Sequence, residues 1–197
     1  MSRVQVSERL ARVDGRAIYT RYLDMRATPI SVTERELPPG PWHDEPDHVD
    51  FEHAGHPCIL HRGPTGAWCG YVAVAPGHAW HGRGYEWDGG VDADVHGGIT
   101  YAQKCLGPIC HVAKPGEPDD AWWVGFDCNH HLDMDFQSVI EHDGGSYLDS
   151  PYHGWIARYR DVEYVRAETM RLAEQARTAR VEHIGGDWSP AQTARPA

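Results

Sequence analysis

The spacing of apolar positions divides this chain into a lead-in, a middle section and a helical final section. In the lead-in, Val4 to Tyr22 carries Leu10, Val13 and Ile18 near one side of a helical projection, although Asp14-Gly15 interrupts it. From Pro57 the period becomes that of strands. Cys58-Ile59-Leu60-His61-Arg62, then Gly63-Pro64-Thr65-Gly66, then Ala67 to Val74 predict a strand, a tight turn and a second, antiparallel strand. Two further strands are expected at Val95 to Ala102 and Ala121 to Asp127. Between about Tyr159 and Arg180 the period is helical again. Val162, Val165, Thr169, Leu172 and Ala176 form one apolar stripe, and Asp161 suits the positive end of the helix dipole. Arg160, Glu163, Arg166, Glu174 and Arg177 cover the other faces, and nothing in this helix suggests chemistry.

The breaker cluster Pro38-Pro39-Gly40-Pro41 sets off residues 1–40 as an N-terminal arm, partly helical and suited to packing on a second subunit of a homo-oligomer. Residues 41–184 then read as a single α+β domain, an antiparallel sheet of four or five strands with the C-terminal helix packed on one face. A short last strand is expected near 181–184, and residues 185–197 read as a loose tail.

Composition bounds the partners. With 41% hydrophobic residues, eight Trp and nine Tyr among 197 residues, the chain can bury a core. Its formal charge of −11 argues against a nucleic-acid partner, since phosphate binding needs a basic face. No window approaches the roughly 20 apolar residues of a membrane span, and the first residues lack a signal-peptide hydrophobic stretch, so a soluble cytoplasmic protein is expected. Cys58, Cys69, Cys105, Cys110 and Cys128 then read as thiols rather than a disulfide framework. Cys105 and Cys110, followed by His111, are spaced more loosely than a zinc knuckle.

The chemistry collects in the histidines, of which there are fourteen. Asp127 ends an apolar strand, and His130 and Asp133 follow at steps of three, so that a turn can bring carboxylate and imidazole together. His96 precedes Gly97-Gly98, where missing side chains let a ligand or another backbone come close. Histidine with carboxylate suits a divalent transition metal, zinc first, and three protein ligands leave an open position for catalysis. His96, Asp127 and His130 are the expected ligands. Asp133 is read as a catalytic carboxylate that can also join them, and Glu52 as a general base.

The long loop from Pro76 to Asp94 carries His78, Trp80, His81 and Trp87, which with Tyr101 offer a wall for a small organic or peptide-like substrate. His43, His48, His53, His56 and His61, among many acidic residues, read as a solvated acidic loop, and His153 as a turn residue. The expected function is therefore a metal-dependent hydrolase. One alternative is a non-catalytic phage or host regulatory protein that uses an acidic surface, and another is a metal-free enzyme with Cys128 or Cys58 as nucleophile.

The segments Trp68-Cys69-Gly70-Tyr71-Val72, Val95-His96-Gly97-Gly98 and Gly125-Phe126-Asp127-Cys128, followed by a terminal helix, resemble a group of small uncharacterised proteins of actinobacteria and their phages. The likeness spans about residues 55–178 and implies no reaction. It implies that His96, Asp127 and His130 belong to a shared architecture, with the histidine-rich stretch 43–61 particular to this chain.

Overall fold

The computed structural model describes residues 5–13, 16–24, 29–37, 39–63, 65–85, 89–110, 120–136 and 158–180. Strands β1 (Gln5–Val13), β2 (Arg16–Asp24) and β3 (Pro29–Glu36) form an antiparallel sheet in sequence order. Val13 stands opposite Arg16, and Ile18 opposite Glu36. The helix expected within Val4 to Tyr22 is thus replaced by a strand pair. Only the pair Asp14-Gly15 separates the two strands, the length and composition that select a hairpin, and β2 is rich in strand-forming Ile18, Tyr19, Thr20 and Tyr22.

A second, five-stranded sheet forms the body. It contains β4 (His48–His53), β5 (His56–Arg62), β6 (Trp68–Val74), β7 (Tyr101–Lys104) and β8 (Trp122–Asp127). Every neighbouring pair is antiparallel, in the order β4-β5-β6-β8-β7. Helix α1 (Val162–Thr178) packs across one face, so the chain has the α+β architecture that its periodicity indicates. Among the described residues no helix is long and apolar enough to cross a membrane.

Strand alternation sorts the side chains onto two faces. Leu60, Val72, Val124 and Phe126 face α1 and pack with its Val165, Leu172 and Ala176, while Ile59, Tyr71, Ala73 and Trp123 form a second cluster on the other face. Each large side chain of the α1 stripe that is taken from water contributes about 1.5–3 kcal/mol. The helix comes closest over β6 at Gly70, where a Cβ would lie 2.1 Å from Thr169 Oγ1. Two acceptors close the start of α1. Asp161 Oδ1 accepts the Tyr164 amide at 2.8 Å, and Glu45 Oε1 accepts the Val162 amide at 2.9 Å.

Three further expectations are corrected by this fold. Residues 43–61 are not a solvated loop, since β4 and β5 pair through most of that stretch and turn at Ala54 and Gly55, both with positive φ. The strand expected at 95–102 is confined to Tyr101–Lys104, because Gly97 at φ 66° and Gly98 at φ 85° are incompatible with a pleated strand. Cys105 and Cys110 are joined as a disulfide rather than being thiols, brought together where Leu106 and Ile109 exchange backbone hydrogen bonds of 3.0 and 3.1 Å. The expected strand near 181–184, the tail from 185, Trp87, His111 and His153 lie outside the described residues.

Candidate metal centre

The site is built where β8 ends. Asp127 Oδ1 accepts the amide of Asn129 at 3.0 Å and starts a turn. The Asp133 amide then donates to the His130 carbonyl at 2.9 Å, and the His130 amide returns a bond to Asp133 Oδ2 at 3.0 Å. The segment is clamped from outside by residue 158: Met134 N–H donates to the Arg158 carbonyl, and Arg158 N–H donates to the Leu132 carbonyl. Asp133 is thereby fixed at both backbone and side chain, and its side chain is only 1% exposed.

His96 reaches this turn from the loop before β7. Gly98 N–H donates to the Val95 carbonyl at 3.1 Å, which makes His96 and Gly97 the centre of a tight turn whose third residue needs positive φ. Helix α1 grips the same loop. Glu168 Oε2 accepts the His96 amide at 2.8 Å and an Arg171 N–H at 3.0 Å, while Gln175 bonds the amide and carbonyl of Asp94 at 2.8 and 2.9 Å.

The two segments meet through side chains. His96 Nε2 donates to Asp133 Oδ2 at 2.7 Å, and His96 Nδ1 accepts the Tyr164 hydroxyl at 3.0 Å. Arg160 Nε donates to the other carboxylate oxygen, Asp133 Oδ1, at 2.8 Å. The His130 ring stands edge-on to that of His96, with centroids 5.4 Å apart and Nδ1 3.5 Å from Asp133 Oδ2. One ligand atom from each of His96, His130 and Asp133 lies within 4.8 Å of the others. Burial by itself pushes the Asp133 carboxyl upward, but Arg160, His96 and the His130 amide outweigh it and hold the group below the usual aspartate range. Asp133 is therefore a carboxylate at neutral pH.

Residue by residue, the structure exchanges the places expected of the two aspartates. Asp133 joins His96 and His130. Asp127 stays outside the cluster, 3.8 Å from His130 Nδ1 and partly exposed, because it pairs with Cys69 and so projects to the sheet face away from α1. Glu52 is not near: it is exposed on β4, at the opposite edge of the sheet and three strands from β8.

The expected substrate wall is also not at this site. Trp80 is buried in the core, and Tyr101 packs edge-on against Tyr71 at 5.0 Å on the other face. His78 Nε2 donates to the Ala176 carbonyl and its Nδ1 accepts the Trp80 amide, so it fastens the loop to the end of α1, roughly 18 Å along the helix from Tyr164. His81 Nε2 donates to the Asp120 carbonyl just before β8. These side chains hold the loop in place instead of lining a cleft beside His96.

Three contributors carry no site role in the sequence: Tyr164 and Glu168 on α1, and Arg160, which reads there as covering an outer face of the helix and stands just before its first residue. The signal of Tyr164 and Glu168 is a polar stripe, Tyr164, Glu168, Arg171 and Gln175, at helical spacing beside the apolar one. It is indistinguishable in sequence from a solvated face. The cysteines give the nucleophile reading no support. Burial pushes the thiol of Cys58 up to about 12 and that of Cys69 up to about 11, and Cys128 is raised as well, also chiefly by burial. Cys58 and Cys69 lie on opposite faces of the hairpin, so they do not face each other.

The histidines of β4 and β5 have structural surroundings. His56 Nδ1 donates to the Ala73 carbonyl at 3.0 Å, and His61 stands 3.4 Å from His48, nitrogen to nitrogen. Burial first, then the neighbouring imidazoles, lowers both His56 and His61 below 6.5. The unfolded chain therefore takes up these protons before the folded one. Stability is unaffected by them above pH 6.5 and falls as pH drops below it. Urea unfolding followed from pH 7.5 to 5.5 should show this decline, and a His56→Gln/His61→Gln variant should show a shallower one. Equal slopes in the two proteins would rule out these histidines as its source.

No protein family, curated protein or solved structure matches this chain.

Proposed function

We propose that this protein is a metal-dependent hydrolase that binds one divalent transition metal, zinc by preference, through His96, His130 and Asp133 and acts on a small organic or peptide-like substrate. The observation that carries the metal site is the convergence of two imidazole nitrogens and one carboxylate oxygen within 4.8 Å, with His130 Nδ1 buried and making no hydrogen bond among the described residues.

The spacing supports the reading. Ligands of a tetrahedral zinc stand roughly 3.3 Å apart, and His130 Nδ1 and Asp133 Oδ2 are already 3.5 Å apart. The direct His96 to Asp133 contact of 2.7 Å has to open by only about 0.6 Å to admit an ion in place of the shared proton. With a metal on Nε2, His96 Nδ1 would carry the proton and donate to the Tyr164 hydroxyl, while Arg160 and the His130 amide would keep Asp133 oriented. A metal held by three protein ligands polarises a carbonyl and lowers the pKa of a coordinated water toward neutrality. Asp127, partly exposed 3.8 Å from His130 Nδ1, would accept the proton released there.

Equilibrium dialysis of untagged, chelator-stripped protein against zinc tests the reading. Because the chain holds other histidines, the decisive quantity is a difference. Wild type should bind one equivalent more than Asp133→Ala or His130→Ala, and affinity for that equivalent should fall by at least about a hundredfold in either variant. Identical stoichiometry and affinity in all three proteins would remove the metal from the proposal.

A further inference from the structure

We infer that the substrate carries an oxyanion, a carboxylate or a phosphoryl group, and that Arg160 binds it beside the metal. This inference rests on the metal reading above and adds the substrate class to it.

Arg160 makes one hydrogen bond, from Nε to Asp133 Oδ1 at 2.8 Å, and its guanidinium lies 4.8 Å from the centroid of the Tyr164 ring. The contact with Asp133 and the face of Tyr164 fix the plane of the group. Its two terminal amino groups make no hydrogen bond among the described residues, although the side chain is only 23% exposed. A guanidinium held by one edge with its outer N–H groups unused is the arrangement that accepts an oxyanion in a forked pair of hydrogen bonds.

Position and charge agree with this. Asp133 Oδ1 holds the guanidinium, and Oδ2, the oxygen that faces both imidazoles, would hold the metal, so that the two cations would sit on the two oxygens of one carboxylate. An oxyanion can therefore touch Arg160 while the bond to be cleaved lies over the ion. With a divalent ion in place, the positive charge of Arg160 and the metal exceeds the negative charge of Asp133 and Asp127. Glu168 is held by Arg171 and the His96 amide, and so does not reverse the balance. In a chain of net charge −11, such a spot concentrates small anions that the rest of the surface repels.

The test uses the full chain loaded with a saturating concentration of cobalt(II), whose visible spectrum reports the site, titrated with inorganic phosphate and separately with acetate. Wild type should respond saturably to at least one of the two. Arg160→Lys, which keeps a cation beside Asp133 but lacks the fork, and Arg160→Gln should each weaken that response at least tenfold under the same cobalt saturation. A response to phosphate alone assigns a phosphoryl group, a response to acetate alone a carboxylate, and a response to both the shared oxyanion site. Wild type that binds cobalt but ignores both anions overturns this inference and leaves the metal site standing. So does a titration unchanged in both variants. Wild type that binds no cobalt at the site overturns the metal reading and this inference with it.

Discussion

Replacing Arg62 by Met, or Glu45 by Ala, is expected to destabilise the fold by about 3–5 kcal/mol, the loss typical when one partner of a buried ion pair is removed and the other is left charged. The Arg62 side chain is fully buried and donates from Nη2 to Glu45 Oε2 at 2.5 Å. The same carboxylate oxygen accepts the Tyr159 hydroxyl at 2.6 Å and the Trp68 indole at 3.2 Å. Glu45 Oε1 takes the first amide of α1, so one carboxylate joins the hairpin and the helix. The Arg62 guanidinium also lies over the rings of Trp68 and Phe136, 4.5 and 5.1 Å from their centroids. Urea unfolding near neutral pH measures the effect. A double Glu45→Gln/Arg62→Met variant should be closer to wild type than either severe single variant, since removing both charges strands none in the interior; Asp47, the other partner of Arg62 at 3.1 Å, is partly exposed to solvent. Single-variant losses under about 1 kcal/mol would mean that the pair behaves as a solvated surface contact.

The second large effect is expected at a residue that ligates nothing. Gly97 holds φ at 66°, and a Cβ there would lie 2.1 Å from His130 Cε1 and 2.3 Å from its Nε2. Gly97→Ala therefore strains the backbone and drives the His130 ring out of the cluster together. The fold should lose about 1–3 kcal/mol, and zinc affinity should fall by about 10–100-fold although all three ligands remain in the sequence. Gly98→Ala provides the comparison. It has positive φ as well, but no atom lies within 4 Å of its added Cβ, so it should reproduce the strain without the loss of metal. Zinc affinity in Gly97→Ala equal to wild type would place His130 outside the ligand set.

The chain's local patterns carried the parts of this protein that depend on near neighbours. The short apolar runs Cys58 to Leu60 and Ala67 to Val74 around a Gly-Pro turn specify a hairpin of strands, and the stripe through Val165, Thr169, Leu172 and Ala176 specifies a helix with one buried face. Run length with turn residues in the first case and period in the second outweigh single exceptions. In residues 4–22 three apolar positions fit a helical projection, but the Asp-Gly pair between two strand-forming runs is the stronger signal. His96 and His130 were legible as residues of interest from the glycines and the acidic turn beside them. What made them a cluster was not.

Strand parity alone turned Asp127 away from α1, and the next turn, clamped by Arg158, returned Asp133 toward His96. Tyr164 and Glu168 entered only when α1 docked over Gly70 and placed its polar stripe against the His96 loop, and Arg160, just before α1, reached Asp133 by the same docking. By itself the sequence determined the strands of the hairpin, the amphipathic helix and the stock of histidines and carboxylates, because these follow from period and composition over a few neighbouring residues. The tertiary structure decided which carboxylate meets which imidazole. Contacts between residues some 30 to 70 positions apart depend on register, face and docking, and those are settled by packing of the whole sheet against one helix.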